Sequence, residues 1–60
     1  MDTQMTFGFV SQSDAWAAMR AFDRVGCKAG YPCNRDRVTA LGSENMLRNV
    51  ARDFGGWVIS

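Results

Sequence analysis

Two pairs of arginines are the side chains best placed to do chemistry in this chain. Arg48 and Arg52 stand four residues apart with Asn45 and Asn49 alongside, and Arg20 and Arg24 repeat the step. On a helix, residues four apart lie one turn apart on the same face. A planar guanidinium can meet a carboxylate or a phosphate with two parallel hydrogen bonds, so such a face suits an acidic partner or a phosphate backbone. Asp23 and Asp53 dilute the positive charge nearby, which favours a protein over nucleic acid. Tyr31, Arg35 and Trp57 extend the set, because Tyr, Trp and Arg carry much of the energy of protein interfaces. The candidate partner-binding residues are therefore Arg20, Arg24, Tyr31, Arg35, Asn45, Arg48, Arg52 and Trp57. The competing reading is a pair of solvated helix faces.

Catalysis is poorly provided for. The chain has no His to exchange a proton near neutral pH. Four of its six acids have structural work: Asp14 and Glu44 at helix starts, Asp36 in a turn, Asp23 beside Arg20 or Arg24. Cys33 could become a reactive thiolate only if Arg35 or Arg37 lowered its pKa. No catalytic residue is assigned, and the chain is not expected to be an enzyme. No metal or cofactor is expected either. The C-x5-C spacing of Cys27 and Cys33 does not match the closer cysteine pairs of zinc sites. A phosphate-cradling glycine loop is also missing.

Six extended steps of about 3.3 Å would set the two cysteines roughly 20 Å apart. A disulfide needs Cα atoms within about 7 Å, so free thiols are expected. Free thiols, no signal-like leader and no membrane-length apolar run lead to an expected cytoplasmic location without membrane contact. A net charge of +1 offers no strong pull toward nucleic acid, which stands only as an alternative partner.

These side chains must be positioned by very few elements. Residues 5–10 alternate, with Met5, Phe7 and Phe9 on one side, as a strand does. Ser11 or Ser13 can cap a helix that follows, and Gly26 can end it. Ala15, Trp16, Met19, Phe22 and Val25 form its expected apolar stripe. Residues 28–33 form a second strand, residues 34–36 a turn and residues 37–41 a third strand. Ser43 opens a second helix whose expected stripe is Met46, Leu47, Val50, Ala51 and Phe54. Gly55-Gly56 ends it, and residues 57–59 form a last strand.

The order β-α-β-β-α-β resembles the ferredoxin-like plan. The resemblance implies one α+β domain over residues 1–60. Its four-stranded antiparallel sheet would have order 4-1-3-2, with two helices on one face. Pro32 suits the second strand, which is an edge in that order. RNA-recognition motifs share the plan, but Arg37-Val38-Thr39-Ala40-Leu41 lacks the aromatics of their third strand. Metal-carrying domains of this topology place C-x-x-C where this chain has Ser11-Gln12-Ser13. A sixty-residue core has little room for a substrate pocket.

In size and plan the chain resembles the small inhibitors of phages and mobile elements, such as anti-CRISPR proteins. The function this implies is non-catalytic binding to a larger host protein or complex, blocking it sterically. A homodimer is a further expectation, because chains this short often gain stability by associating. The alternatives are a nucleic-acid-binding module using the Arg48/Arg52 face and a dimeric small-ligand sensor resembling ACT domains.

Overall fold

Alternation in the first strand decides which side of the sheet becomes the core. The computed structural model describes residues 2–30 and 36–60. It contains β1 (Thr3–Gly8), α1 (Gln12–Arg24), β2 (Lys28–Gly30), β3 (Arg37–Gly42), α2 (Glu44–Asp53) and β4 (Trp57–Val58). Met5 and Phe7 of β1 pair with Ala40 and Val38 of β3, and all four are buried. The alternate residues Gln4, Thr6 and Gly8 pair with Leu41, Thr39 and Arg37 on the opposite face. There the Thr6 and Thr39 hydroxyls hydrogen-bond at 2.9 Å.

The strands form one antiparallel sheet of order β2-β3-β1-β4, which is 4-1-3-2 counted from the other edge. The fold is α+β and ferredoxin-like, with both helices on the Phe7 face. Helix α1 packs over β2 and β3, while α2 packs over β1, β3 and β4. Phe22 of α1 stacks on Phe7, with ring centroids 5.9 Å apart.

The buried stripes are narrower than the sequence patterns. Ala15, Ala18 and Phe22 bury the inner face of α1, while Trp16 and Val25 are exposed rather than in the core. The alanines bring the helix close to the sheet and leave depth for one large ring. Trp16 follows Ala15 by about 100° of helix and turns to the flank. Met46 precedes Leu47 by the same angle and is also exposed; α2 buries Leu47, Val50 and Ala51. Cys27 is a free, buried thiol.

Strand bounds shift as well. Thr3 and Gln4 join β1 because Gly42 and Leu41 stand opposite them. Phe9 and Val10 both lie beyond β1, although Phe9 is buried and its N–H reaches the Asp36 carbonyl at 2.8 Å. Only Trp57 and Val58 of the last segment are strand. The expected continuation of the second strand through Pro32, the Asn34-Arg35 part of the turn, and the candidates Tyr31 and Arg35 lie outside the described residues. So does Cys33. Among the described residues, no helix is long and apolar enough to cross a membrane.

Both helices end in the same way. Gly26 and Gly55 have positive φ, as expected for helix terminators. The next residue then bonds back five positions: Cys27 N–H to Phe22 at 2.9 Å, and Gly56 N–H to Ala51 at 2.8 Å. This is the Schellman arrangement.

The starts of the two helices differ. Ser11 caps α1 through its Oγ, which accepts from the Asp14 N–H at 3.2 Å. Ser43 occupies the cap position of α2 without a side-chain cap bond, contrary to the expected capping role. Ser11→Ala is therefore expected to cost about 1 kcal/mol. Ser43→Ala should cost distinctly less, and paired thermal melts measure the difference. Equal losses would show that the Ser11 hydroxyl adds nothing.

Candidate functional site

Helix α2 has two opposed stripes. Leu47, Val50, Ala51 and Phe54 face the sheet, which leaves Asn45, Arg48, Asn49 and Arg52 on the outer flank at i, i+3, i+4 and i+7. The Gly55-Gly56 turn then brings β4 back beside the helix. Gly56 can make this turn because it carries no side chain. A Cβ there would stand 2.5 Å from Cε1 of the buried Phe9 ring.

A groove of about 550 Å3 lies between α2 and β4. Asn45, Arg48, Asn49 and Arg52 line one side, and Gly56, Trp57 and Val58 line the other. Phe7 and Ala51, both buried, form the floor. The structure thus gathers four sequence candidates, Asn45, Arg48, Arg52 and Trp57, at one place. Arg20 and Arg24 are exposed on α1 and do not line the groove.

The guanidinium groups are tethered along the helix. Arg48 Nε donates to Glu44 Oε2 at 2.9 Å, and Arg52 Nη2 donates to Asn49 Oδ1 at 2.9 Å. The ion pair is about half exposed, so it adds little to stability. It does bias the arginine toward one posture. Glu44 takes Nε, and no bond among the described residues occupies the two terminal nitrogens of Arg48.

Trp57 contributes in a way its sequence position did not show. It pairs with Gly8, and a Cβ on Gly8 would lie 2.8 Å from the indole Cε2 and Nε1. Gly8 is therefore a seat for the indole on the sheet face opposite the helices. A glycine inside a strand usually marks a bulge or the close approach of another backbone; here a side chain fills the space instead. Ile59 reaches the same place, at 3.0 Å. Trp57 is half exposed and marks the rim of the groove.

Val58 pairs with Phe7 and shares the helix-side face. It is an exposed apolar side chain that lines the groove with the arginines, and sequence reasoning missed it; Asn49 was placed beside the arginines but left out of the candidate set. Alternation from Trp57 was the signal available for Val58.

The backbone of β4 adds a second kind of recognition surface. β4 is the outer strand of the sheet. The Thr6 carbonyl accepts from Ile59 at 2.8 Å, and the Thr6 N–H donates to the Ser60 carbonyl at 2.7 Å. Antiparallel strands alternate inward and outward backbone groups, so Val58 turns its N–H and C=O to the free edge.

A smaller hollow of about 360 Å3 lies where the end of α1 meets the start of α2. Its apolar Val25, Leu41 and Met46 are accompanied by Asp2 and Lys28, whose charges oppose each other. Among the described residues, no three His, Cys, Asp or Glu side chains could together hold a metal ion. Comparisons with protein-family models, curated proteins and solved structures return no match to this chain. The groove is therefore interpreted from its own chemistry.

Proposed function

We propose that this protein is a non-catalytic binding module that docks through the α2–β4 groove onto a larger protein and blocks it sterically. One observation carries the reading. Arg48 and Arg52 stand across an open groove from Val58 and the rim Trp57, beside a free strand edge. Arginine and tryptophan are typical interface anchors, and a strand edge offers ready backbone pairing. The free, buried Cys27 agrees with action in the reducing cytoplasm.

Affinity capture from a host lysate, with mass spectrometry, tests this reading. Wild-type protein is expected to retain one partner stoichiometrically. Arg48→Glu with Arg52→Glu should lose it, while Arg20→Glu with Arg24→Glu on α1 should keep it. Capture by the groove variant at wild-type level overturns the proposal.

A further inference from the structure

We infer that the occupant of the groove is an extended acidic segment of the partner, with carboxylates at alternate positions and apolar residues between them. It would join the sheet as a strand beside β4. The inference rests on the protein-binding reading above and adds the chemistry of the ligand.

The argument begins with spacing. Arg48 and Arg52 are separated along the helix by about 6 Å, four residues at about 1.5 Å each. In an extended chain, residues i and i+2 point to the same side about 6.6 Å apart. Two alternate carboxylates on a strand therefore match two arginines one helical turn apart. Adjacent carboxylates do not, because they point to opposite faces.

The edge fixes which face meets which neighbour. A strand added beside β4 would turn alternate side chains toward α2 and the others toward the open sheet face. The first set meets Arg48, Arg52 and their asparagines, which calls for acids. The second meets Trp57 and Ile59, both exposed and apolar, which calls for hydrophobic residues. No carboxylate lines the groove among the described residues. Glu44 already holds Arg48 from the side, so an incoming acid would share or replace it.

A second copy of this chain fits less well. Two-fold pairing of β4 with β4 would bring the outer flanks of both α2 helices together. The arginines of the two copies would then oppose each other, which is unfavourable.

Fluorescence anisotropy with labelled nine-residue peptides tests the inference. One peptide places two glutamates at alternate positions in a valine–threonine background. A second, of identical composition, places them side by side. The alternating peptide is expected to bind at least about tenfold tighter at low salt. Arg48→Glu with Arg52→Glu should abolish binding while leaving the circular dichroism spectrum intact. Glu44→Gln removes the competing carboxylate and should tighten binding about twofold to fivefold.

Equal affinity for the two peptides overturns the inference. Absence of binding to both does so too, and groove-dependent partner capture would then still uphold the binding function alone. Tighter binding of an oligothymidylate at the same residues would replace the peptide with nucleic acid. A dimer in sedimentation that the charge-neutralising pair Arg48→Ala with Arg52→Ala strengthens would place a second copy there instead.

Discussion

Phe22→Ala is expected to leave much of the chain unfolded at room temperature. Phe22 is fully buried and stacks on Phe7 between α1 and the sheet. Removing a buried Phe side chain costs about 3–5 kcal/mol, since transfer and cavity terms add. A sixty-residue domain has in total only about 3–9 kcal/mol at roughly 0.05–0.15 kcal/mol per residue. The surrounding alanines cannot fill the cavity by repacking, because Ala15 and Ala18 are already against the sheet. Met46→Ala provides the contrast: its side chain is 39 % exposed, and the change should cost well under half as much. Urea titrations followed by circular dichroism measure both. A cooperative Phe22→Ala transition within about 1 kcal/mol of wild type would show that the ring is not central to the core.

That core was legible in outline from local pattern. Period-two alternation identified Met5, Phe7 and Phe9, and the glycines at 26 and 55 marked the helix ends. The order of the elements led to the ferredoxin-like sheet because few topologies accommodate it. Trp16, Val25 and Met46 were misplaced because helical periodicity shows an apolar sector and not its width. The alanines of α1 set that width, by bringing the helix too close to the sheet for a neighbouring large side chain.

The groove was legible only in pieces. The step from Arg48 to Arg52 places both on one face of α2, and Trp57 stood out as an edge aromatic. Their meeting depends on the Gly55-Gly56 turn and on the register of β4 against β1. Neither is written in a local pattern. The seat of Trp57 on Gly8 depends on that same register. The tether between Glu44 and Arg48 was available in the i, i+4 spacing of opposite charges.

Gly56→Ala is expected to damage both the fold and the groove, through one identifiable clash. The added methyl would meet the Phe9 ring at 2.5 Å for Cε1 and 3.0 Å for Cδ1 and Cζ. Phe9 is buried, so the ring has no solvent to move into. Overpacking of this kind costs about 1–3 kcal/mol. In a domain of this size each kcal/mol lowers the melting temperature by roughly 4–8 °C. Gly55→Ala differs in mechanism: nothing lies within 4 Å of its Cβ, but φ is +73°. Its cost is backbone strain of roughly 1–2 kcal/mol. The two mechanisms separate in a Phe9→Leu background. The smaller side chain makes room for the Gly56 methyl, so the loss from Gly56→Ala should shrink by at least about 0.5 kcal/mol. The loss from Gly55→Ala should not change. If Phe9→Leu fails to relieve Gly56→Ala, the ring is not what requires glycine there. If it does relieve it, the packing of Phe9 under Gly56 is what sets β4 beside α2 and brings Val58 to the arginines.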